Sequence, residues 1–519
     1  MRNDALLNHK VNKTFEEVLW MTMDEFRLWC KELREIVVDL WDNHNLPPRV
    51  GFTKDEAIEQ FRKLESFPVH KFLITDELTG EKNVIRNTHV LGNCINDWFP
   101  TMMKTRINYT DDVGAGRSIY DFFALDELFD RFVTYATRHF KRDSFYHYSV
   151  PIQIGDTQYG NDLPFQIDPL CWIEEFERDG YRNRGLYDYW LAPIKESAEY
   201  TGYNEDLKGK KYLTLTKDQI ESCKFIPNYC KTNVDHSKSE IYQIRIFKLG
   251  QRLFPIGLKA FRVSFCQYAV NYPPLTAKFF WEKFTEDFKG DDQIIVWDPS
   301  AGWGGRLLGA LSVRDDRHIK YVATDPNTDH NVDVDRTKYH EIYDFYTSNV
   351  KKGGLFPEPH TDFEFYQCGS EVVQYNENFQ KYKGKISVVF TSPPYGSREA
   401  YSEDETQSYK KFPKFDDWKE GFLRETLKTA YEWLRPRGYL LWNINAVNYS
   451  GEVVHFDDWS KEICLELGFE HIDTYYMALA QMPGSNRIDT ETGLPSSKYY
   501  CKLANGNFLK TEPVFVFRK

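Results

Sequence analysis

The chain has 519 residues, which is too many for one compact core and indicates two or three domains. Hydrophobic residues make up 41%, and the formal net charge of -12 argues against a protein that coats nucleic acid, although a local basic stripe could still bind phosphate. Nine cysteines without metal-binding spacing, no apolar signal core and no bilayer-length apolar run argue against a metal site, secretion and membrane insertion, so we expect a cytoplasmic protein without metal or membrane partner.

The N-terminal part begins with apolar residues at helical spacing. This spacing predicts three helices, over 13–45, 54–65 and 118–140. Between the second and third, Lys71 to Ile85 alternates around a Thr-Gly turn and predicts a hairpin. Residues 141–240 are polar, rich in Tyr, Gly, Asn and Pro, and predicted to be irregular. We therefore expect a mainly helical, mixed α+β N-terminal domain over 1–240.

Two segments of that domain, 141–148 and 178–190, mix basic and aromatic residues. Such mixing suits contact with phosphates and bases, and it is equally typical of a solvated face over buried aromatics. The N-terminal domain is accordingly a candidate for target recognition or partner binding.

After residue 240 strand-like runs alternate with helical ones. This alternation predicts a doubly wound α/β sheet in a domain over 241–519, with ligands at the carboxyl ends of its strands. The predicted strands are 294–298, 321–325, 363–368, 386–392, 438–444, 471–479 and 513–519.

The first strand of this domain ends in Asp298 and is followed by a glycine-rich turn and a helix. A dinucleotide fingerprint counted from Gly302 would need a third glycine where Leu307 stands, so that ligand is excluded. An acidic strand end followed by Gly302 and Gly304 fits a cationic sulfonium with an amino-acid tail, because the glycines make room for the tail. Asp298 would act on that tail directly or through water.

The next two strand ends continue the pattern. Asp325 closes the second strand, where a carboxylate can accept two hydrogen bonds from ribose hydroxyls. Ser370 follows the third strand, where the adenine ring is expected. Three such features in order indicate a nucleoside-bearing cofactor.

A second loop, Thr391-Ser392-Pro393-Pro394-Tyr395, follows the fourth strand. Its prolines stiffen the turn and leave carbonyls pointing outward. The Ser392 side chain and the Pro393 carbonyl could each accept a hydrogen from a conjugated amine, while the Tyr395 ring stacks on the flat substrate. This arrangement favours a pyramidal nitrogen whose lone pair can receive a methyl group.

Both loops resemble those of the DNA amino-methyltransferases that modify N4 of cytosine or N6 of adenine. That family has a D-P-F-x-G-x-G cofactor loop and an (S/D/N)-P-P-(Y/F) catalytic loop, and this chain has DPSAGWG and SPPY, with Ser300 where the family has Phe. A helix entered through proline before the cofactor loop is a further family feature, matched here at Tyr272 and Pro273. The whole stretch looks most similar to enzymes of phages and prophages, which would place the protein in the host cytoplasm.

The resemblance implies a class I (Rossmann-like) methyltransferase that uses S-adenosyl-L-methionine on double-stranded DNA with a flipped base. Ser392 favours N4 of cytosine over N6 of adenine. The alternatives are an RNA base amino-methyltransferase and a non-catalytic DNA-binding protein with a relic cofactor fold. Residues 397–416 are expected to form a flap over the substrate. The implied catalytic residues are Ser392, Pro393, Pro394 and Tyr395, and the implied cofactor-binding residues are Tyr272, Pro273, Asp298, Ser300, Gly302, Gly304, Asp325, Ser370 and Thr391.

Overall fold

The computed structural model describes residues 4–11, 13, 22–48, 51–85, 91–107, 116–143, 146–153, 171–174, 190–192, 213–214, 241–248, 269–313, 317–349, 360–449, 452–479, 488–489 and 491–519. The chain divides into two compact units. One comprises 41–126 and 262–519, and the other comprises 4–40 and 127–261.

Helices in the described ranges are, in chain order, α1 (Asp4–Asn8), α2 (Met23–His44), α3 (Lys54–Ser66), α4 (Ile119–Ala124), α5 (Asp126–Asp143), α6 (Pro274–Thr285), α7 (Gly305–Leu311), α8 (Lys338–Asn349), α9 (Ser408–Lys411), α10 (Phe415–Trp418), α11 (Glu425–Trp433) and α12 (Phe456–Leu467). A π-helical stretch, Lys419–Arg424, joins α10 to α11. Short 3-10 turns cover Val69–Phe72, Asn93–Trp98, Pro100–Lys104, Glu286–Phe288, Thr328–His330, Val373–Tyr375, Phe379–Tyr382 and Gly396–Arg398.

Strands in the same ranges are β1 (Leu73–Ile74), β2 (Val84–Ile85), β3 (Arg106–Ile107), β4 (Tyr146–Gln153), β5 (Cys171–Glu174), β6 (Trp190–Ala192), β7 (Leu213–Thr214), β8 (Ile241–Lys248), β9 (Ile294–Asp298), β10 (His318–Thr324), β11 (His360–Tyr366), β12 (Ile386–Thr391), β13 (Glu399–Ala400), β14 (Leu434–Asn443), β15 (Val447–Tyr449), β16 (Glu452–Val454), β17 (Glu470–Ala478), β18 (Tyr500–Lys502) and β19 (Phe508–Arg518).

The first unit is built on a ten-stranded sheet in the order β1-β2-β17-β19-β14-β12-β9-β10-β11, with β18 paired to β19. Strands β11, β10, β9, β12 and β14 are parallel, and β19 runs antiparallel between β14 and β17. The strand order reverses at β9, because β10 and β12 lie on its two sides, and such a reversal opens a crevice at the carboxyl ends. This strand order, in which β19, the last strand of the chain, runs antiparallel to both β14 and β17, is that of the class I (Rossmann-like) methyltransferase fold.

The sheet is buried on both faces, as a parallel sheet must be. Every residue of β12 is buried, and its side chains alternate between two cores. Val388 and Phe390 pack in the core that contains α6 and α7, whereas Val389 packs in the core that contains α11 and α12. Continuous burial explains why β12 has an unbroken apolar sequence rather than a polar alternation.

Residues 41–126 belong to the same compact unit as the sheet, whereas the sequence pattern predicted a domain boundary near 240. Helix α3 starts at a capping box in which the Glu56 amide donates to Thr53 and the Thr53 amide donates to Glu56. Its buried face carries Phe61, whose ring lies 4.5 Å from that of Tyr346 on α8. Apolar periodicity predicted this helix correctly, but it carries no information on which core the buried face joins.

The second unit contains a five-stranded sheet in the order β6-β5-β8-β4-β7. Strand β8 pairs antiparallel with β4 and β5, and β7 runs parallel to β4. Part of the stretch that was expected to be irregular, 141–240, is therefore strand. The basic and aromatic segment at 178–190 lies outside the described residues except for its last residue.

None of the helices in the described ranges is long and apolar enough to cross a bilayer.

Candidate active site

A cavity of about 1290 Å³ opens at the carboxyl ends of the parallel strands, within the unit that holds the central sheet. Two sets of predicted residues meet there: those at the cofactor strand ends and those of the catalytic loop. The predicted residues that line it are Tyr272, Pro273, Ser300, Gly302, Asp325, Ser370, Ser392, Pro393, Pro394 and Tyr395.

The cofactor loop after β9 bends through two glycines with left-handed backbone, Gly302 (φ 58°) and Gly304 (φ 71°). An L side chain is strained at such angles, so glycine is required there. The Gly302 amide donates to the carboxylate of Asp325 at 2.8 Å, and the Tyr339 hydroxyl donates to the Gly302 carbonyl at 2.5 Å. Gly304 instead faces Ile95 and Ile342, away from the cavity lining.

Asp298 has a different place from the predicted one. It is fully buried and does not line the cavity. One carboxylate oxygen accepts from the Arg306 guanidinium at 2.9 Å and the Tyr321 hydroxyl at 2.6 Å, and the other accepts from Thr391 at 3.0 Å. Because its lone pairs are used inside the protein, Asp298 holds the cofactor loop and the catalytic loop together. Thr391 likewise lies in this network and not in the cavity wall.

Arg306 is a site residue that the sequence reasoning missed. It lies one residue into α7, is almost fully buried and pairs with Asp298. Its guanidinium also donates to the Ser300 carbonyl and stands 5.3 Å from the centre of the Tyr272 ring. Arg306 therefore joins the cofactor loop to the segment before α6. The sequence signal that could have indicated this role is Asp298, its acidic partner eight residues earlier.

Asp325 lies at the cavity wall with both carboxylate oxygens directed by backbone amides. One accepts from Gly302 and the other from Asn327 at 3.0 Å. A carboxylate oxygen can accept more than one hydrogen bond, so each keeps capacity for a ligand hydroxyl. Burial raises the pKa of Asp325 to about 6. The arrangement fits the two adjacent hydroxyls of a ribose.

His330 lines the same cavity, supports the cofactor loop through Tyr339 and was also missed. Its Nδ1 lies 2.9 Å from the Tyr339 hydroxyl, whose own proton goes to the Gly302 carbonyl. The hydroxyl must therefore accept from Nδ1–H, which fixes the tautomer. Burial lowers the pKa of His330 to about 3, so the ring is neutral at physiological pH.

The third strand end places Ser370 and Glu371 in the cavity wall. The Ser370 hydroxyl lies 3.0 Å from that of Thr426. Glu371 is 4% exposed, and one of its oxygens pairs with Lys411 at 2.8 Å while the other has no hydrogen-bond partner among the described residues. A buried, unsatisfied acceptor is costly unless a ligand donor reaches it, so Glu371 joins Ser370 as a candidate contact for the adenine end of the cofactor.

The catalytic loop leaves the fully buried β12 and presents Ser392 and Pro394, both half-buried, to the cavity. The Tyr395 hydroxyl donates to Glu512 at 2.6 Å and accepts from the Asn445 amide at 3.1 Å. Its ring meets Phe456 edge-on at 5.8 Å. Glu512 and Asn445 lie far from Tyr395 in the chain, so no spacing in the sequence indicated either contact.

The segment expected to form a flap, 397–416, contacts two strand ends. Strand β13 pairs with β3, and Asp404 accepts from the Thr328 hydroxyl at 2.5 Å beyond β10. Lys411 pairs with Glu371 beyond β11, and Lys410 pairs with Glu403 and Glu405. The segment thus lies beside the cofactor strand ends, and its movement stays a prediction.

In the described ranges, His455, Asp457 and Asp458 bring ligand atoms within 4.8 Å of one another. The Lys498 ammonium lies 2.6 Å from Asp457 and 2.9 Å from Asp458. That ammonium already supplies the positive charge which the carboxylates need.

No family model matches the chain, and no curated protein matches it. Among solved structures, the CurJ carbon methyltransferase is similar at 12% identity over 47% of this chain and 54% of its own, with a TM-score of 0.28. TrmN from Thermus thermophilus is similar at 11% identity over 53% and 57%, with a TM-score of 0.27. A SAM-dependent methyltransferase from Methanosarcina mazei is similar at 10% identity over 44% and 93%, with a TM-score of 0.23. This chain thus covers little more than half of the first two, and its own strand order defines the fold class.

Proposed function

We propose that this protein transfers a methyl group from S-adenosyl-L-methionine to the exocyclic amine of a base in double-stranded DNA, with N4 of cytosine favoured over N6 of adenine. One observation carries the proposal: the SPPY loop and the cofactor strand ends line one cavity. Its volume of about 1290 Å³ exceeds the roughly 300–1,000 Å³ of ordinary ligand sites, which leaves space for a base beside the cofactor.

The residues present fit this cofactor. Asp325 would accept from the ribose hydroxyls, and the unsatisfied oxygen of Glu371 would accept from the adenine amine. The left-handed turn at Gly302, with Ser300 and the side chains of Tyr272 and Pro273, would hold the methionine end. When bound, the cofactor supplies an electrophilic methyl group on a sulfonium.

The catalytic loop would prepare the amine. Ser392 and the Pro393 carbonyl would each accept one amine hydrogen, which directs the nitrogen lone pair toward the methyl group. Tyr395 would border the base, with its ring orientation fixed by Glu512 and the Asn445 amide. A base inside a duplex cannot reach such a cavity, so the proposal includes base flipping. Recognition of the target sequence is assigned to the N-terminal part of the chain, within 1–240.

Substituting Ser392→Ala tests the proposal because it removes one acceptor for the amine and leaves the loop backbone intact. We expect kcat for methyl transfer to duplex DNA to fall about 100-fold, the usual effect of losing one such polar contact. Binding of S-adenosylmethionine, measured by calorimetry, should not change.

Ser66→Ala is the matched control, since Ser66 is an exposed serine at the end of α3 whose hydroxyl bonds only to its own helix. It should keep the full rate. An unchanged rate in Ser392→Ala would contradict the assigned role of the loop. Transfer to RNA but not to DNA would favour the RNA alternative, and no binding of S-adenosylmethionine would leave the relic-fold alternative.

A further inference from the structure

Glu512 lies on β19 and contributes a half-buried carboxylate to the cavity wall. Strand β19 runs between β14 and β17, which brings residue 512 next to a loop more than a hundred residues earlier in the chain. There it accepts the hydrogen bond of the Tyr395 hydroxyl. Glu512 is therefore tied directly to the SPPY loop.

Methylation of an amine requires a proton acceptor, which the SPPY loop does not supply. The nitrogen lone pair forms the N–CH₃ bond while the electron pair of the S–CH₃ bond leaves with the sulfur, so the positive charge passes from sulfur to nitrogen. The nitrogen then carries one hydrogen too many and must release a proton. Ser392, an alcohol, cannot hold that proton at physiological pH, and a carboxylate can.

Four carboxylates line the cavity among the described residues: Asp325, Glu371, Glu399 and Glu512. Asp325 and Glu371 lie at the ends of β10 and β11, on the cofactor side. Glu399 accepts from the Tyr401 hydroxyl in the segment after the loop. Glu512 is the one of the four that is hydrogen-bonded to a residue of the SPPY loop itself.

The surroundings of Glu512 raise its pKa, which favours the uptake of a proton by its carboxylate. Burial raises the pKa of Glu512 and outweighs the hydrogen bond from Tyr395, the nearby Asn443 side chain and the attraction of Lys510, all of which favour the ionised form. The other titratable groups that sense its charge are Glu399 and Tyr272. A carboxylate with a raised pKa is a better proton acceptor near neutral pH.

On the basis of the proposed function, we propose that Glu512 accepts the proton that the methylated amine releases. The proton moves from nitrogen to a carboxylate oxygen, giving a neutral methylated base and a neutral Glu512, which returns its proton to water after product release. Tyr395 then has two duties, bordering the base and orienting the acceptor.

Glu512→Gln is the decisive variant because the amide keeps the size of the side chain and an oxygen for the Tyr395 hydroxyl but cannot take up a proton. We expect kcat for DNA methylation to fall about 100-fold, and the fall in rate toward acidic pH that we expect of the wild type to disappear. Calorimetric binding of S-adenosylmethionine should match the wild type. Glu512→Asp, which keeps a carboxylate, should retain that acidic fall in rate.

Glu399→Gln is the comparison variant, because it removes a carboxylate of the same cavity wall that is not hydrogen-bonded to the SPPY loop. It should retain the fall in rate toward acidic pH. The free energy of unfolding, measured as a function of pH, is a test that does not require turnover. Relative to Glu512→Gln, the wild type should lose stability as pH rises through the raised pKa of Glu512. Wild-type kcat and pH profile in Glu512→Gln, or loss of the acidic fall in Glu399→Gln alone, would overturn the role of Glu512. A wild type that methylates no DNA would overturn the proposed function itself, and the proton step with it.

Discussion

Asp325 is the residue through which cofactor binding and pH are most directly linked. Its carboxylate would bind ribose hydroxyls best when ionised, yet its burial opposes ionisation and raises its pKa to about 6. The affinity for S-adenosylmethionine should therefore increase as pH rises through about 6. Stability should change in the opposite direction over the same range.

The pH dependence of stability can be isolated with Asp325→Asn. A carboxyl whose folded pKa is raised contributes stability that is present below its unfolded pKa, 3.8, and is lost as pH rises through about 6. The difference between these values corresponds to about 3 kcal/mol. We expect the wild type to lose roughly this much relative to Asp325→Asn between pH 4 and pH 8, in urea titrations at each pH. Parallel stability curves for the two proteins would contradict the assigned pKa.

Strand-end aspartates show where sequence reasoning reaches its limit at this scale. Asp298 is the last residue of β9 and Asp325 is the first residue after β10, and both were predicted to contact the cofactor. Arg306, Tyr321 and Thr391 converge on Asp298 and use its oxygens, whereas Asp325 stays at the cavity wall. Those three partners come from different elements, so only the packing of β9, β10 and β12 distinguishes the two aspartates.

A buried lysine on helix α6 contacts the end of helix α3. The Lys278 ammonium on α6 donates to the carbonyls of Leu64 at 2.9 Å and Glu65 at 2.5 Å, in the last turn of α3. It is 1% exposed and also lies 3.4 Å from Glu282. The last carbonyls of a helix have no partner within it, so this lysine caps α3 and fixes it to α6.

Substituting Lys278→Met should destabilise the protein by about 2 kcal/mol or more, because buried carbonyls lose a charged donor. Urea unfolding of the full chain measures the change. Lys283→Met, on the exposed side of the same helix, is the control and should change stability by less than about 0.5 kcal/mol. Equal effects of the two substitutions would mean that the buried contact does not fix α3.

Apolar periodicity predicted the strands of the central sheet, but it did not predict where the compact units divide. The strands predicted after residue 240 appear within a few residues of their predicted limits, since buried parallel strands have long apolar runs. The helix predicted over 54–65 appears as α3, whereas the one predicted over 118–140 is divided at Leu125 into α4 and α5. Of the helix predicted over 13–45, α2 is observed, and 14–21 lie outside the described residues. The membership of α3 in the sheet unit depends on contacts such as Phe61 with Tyr346, between residues nearly three hundred positions apart, which no local pattern contains.

The acidic net charge of the whole molecule bears on how DNA would be held. Lys410 and Lys411, two basic residues of the segment after the catalytic loop, are already paired with Glu403, Glu405 and Glu371. Phosphate contacts should therefore come mainly from elsewhere in the chain, which agrees with assigning target recognition to 1–240.

The most direct test is to incubate the full chain with methyl-labelled S-adenosylmethionine and duplex DNA, digest the DNA to nucleosides and identify the labelled one by mass spectrometry. We expect label on an exocyclic nitrogen, as N4-methylcytosine in preference to N6-methyladenine. Label on cytosine C5, or no label in any DNA nucleoside while the chain binds S-adenosylmethionine, would contradict it.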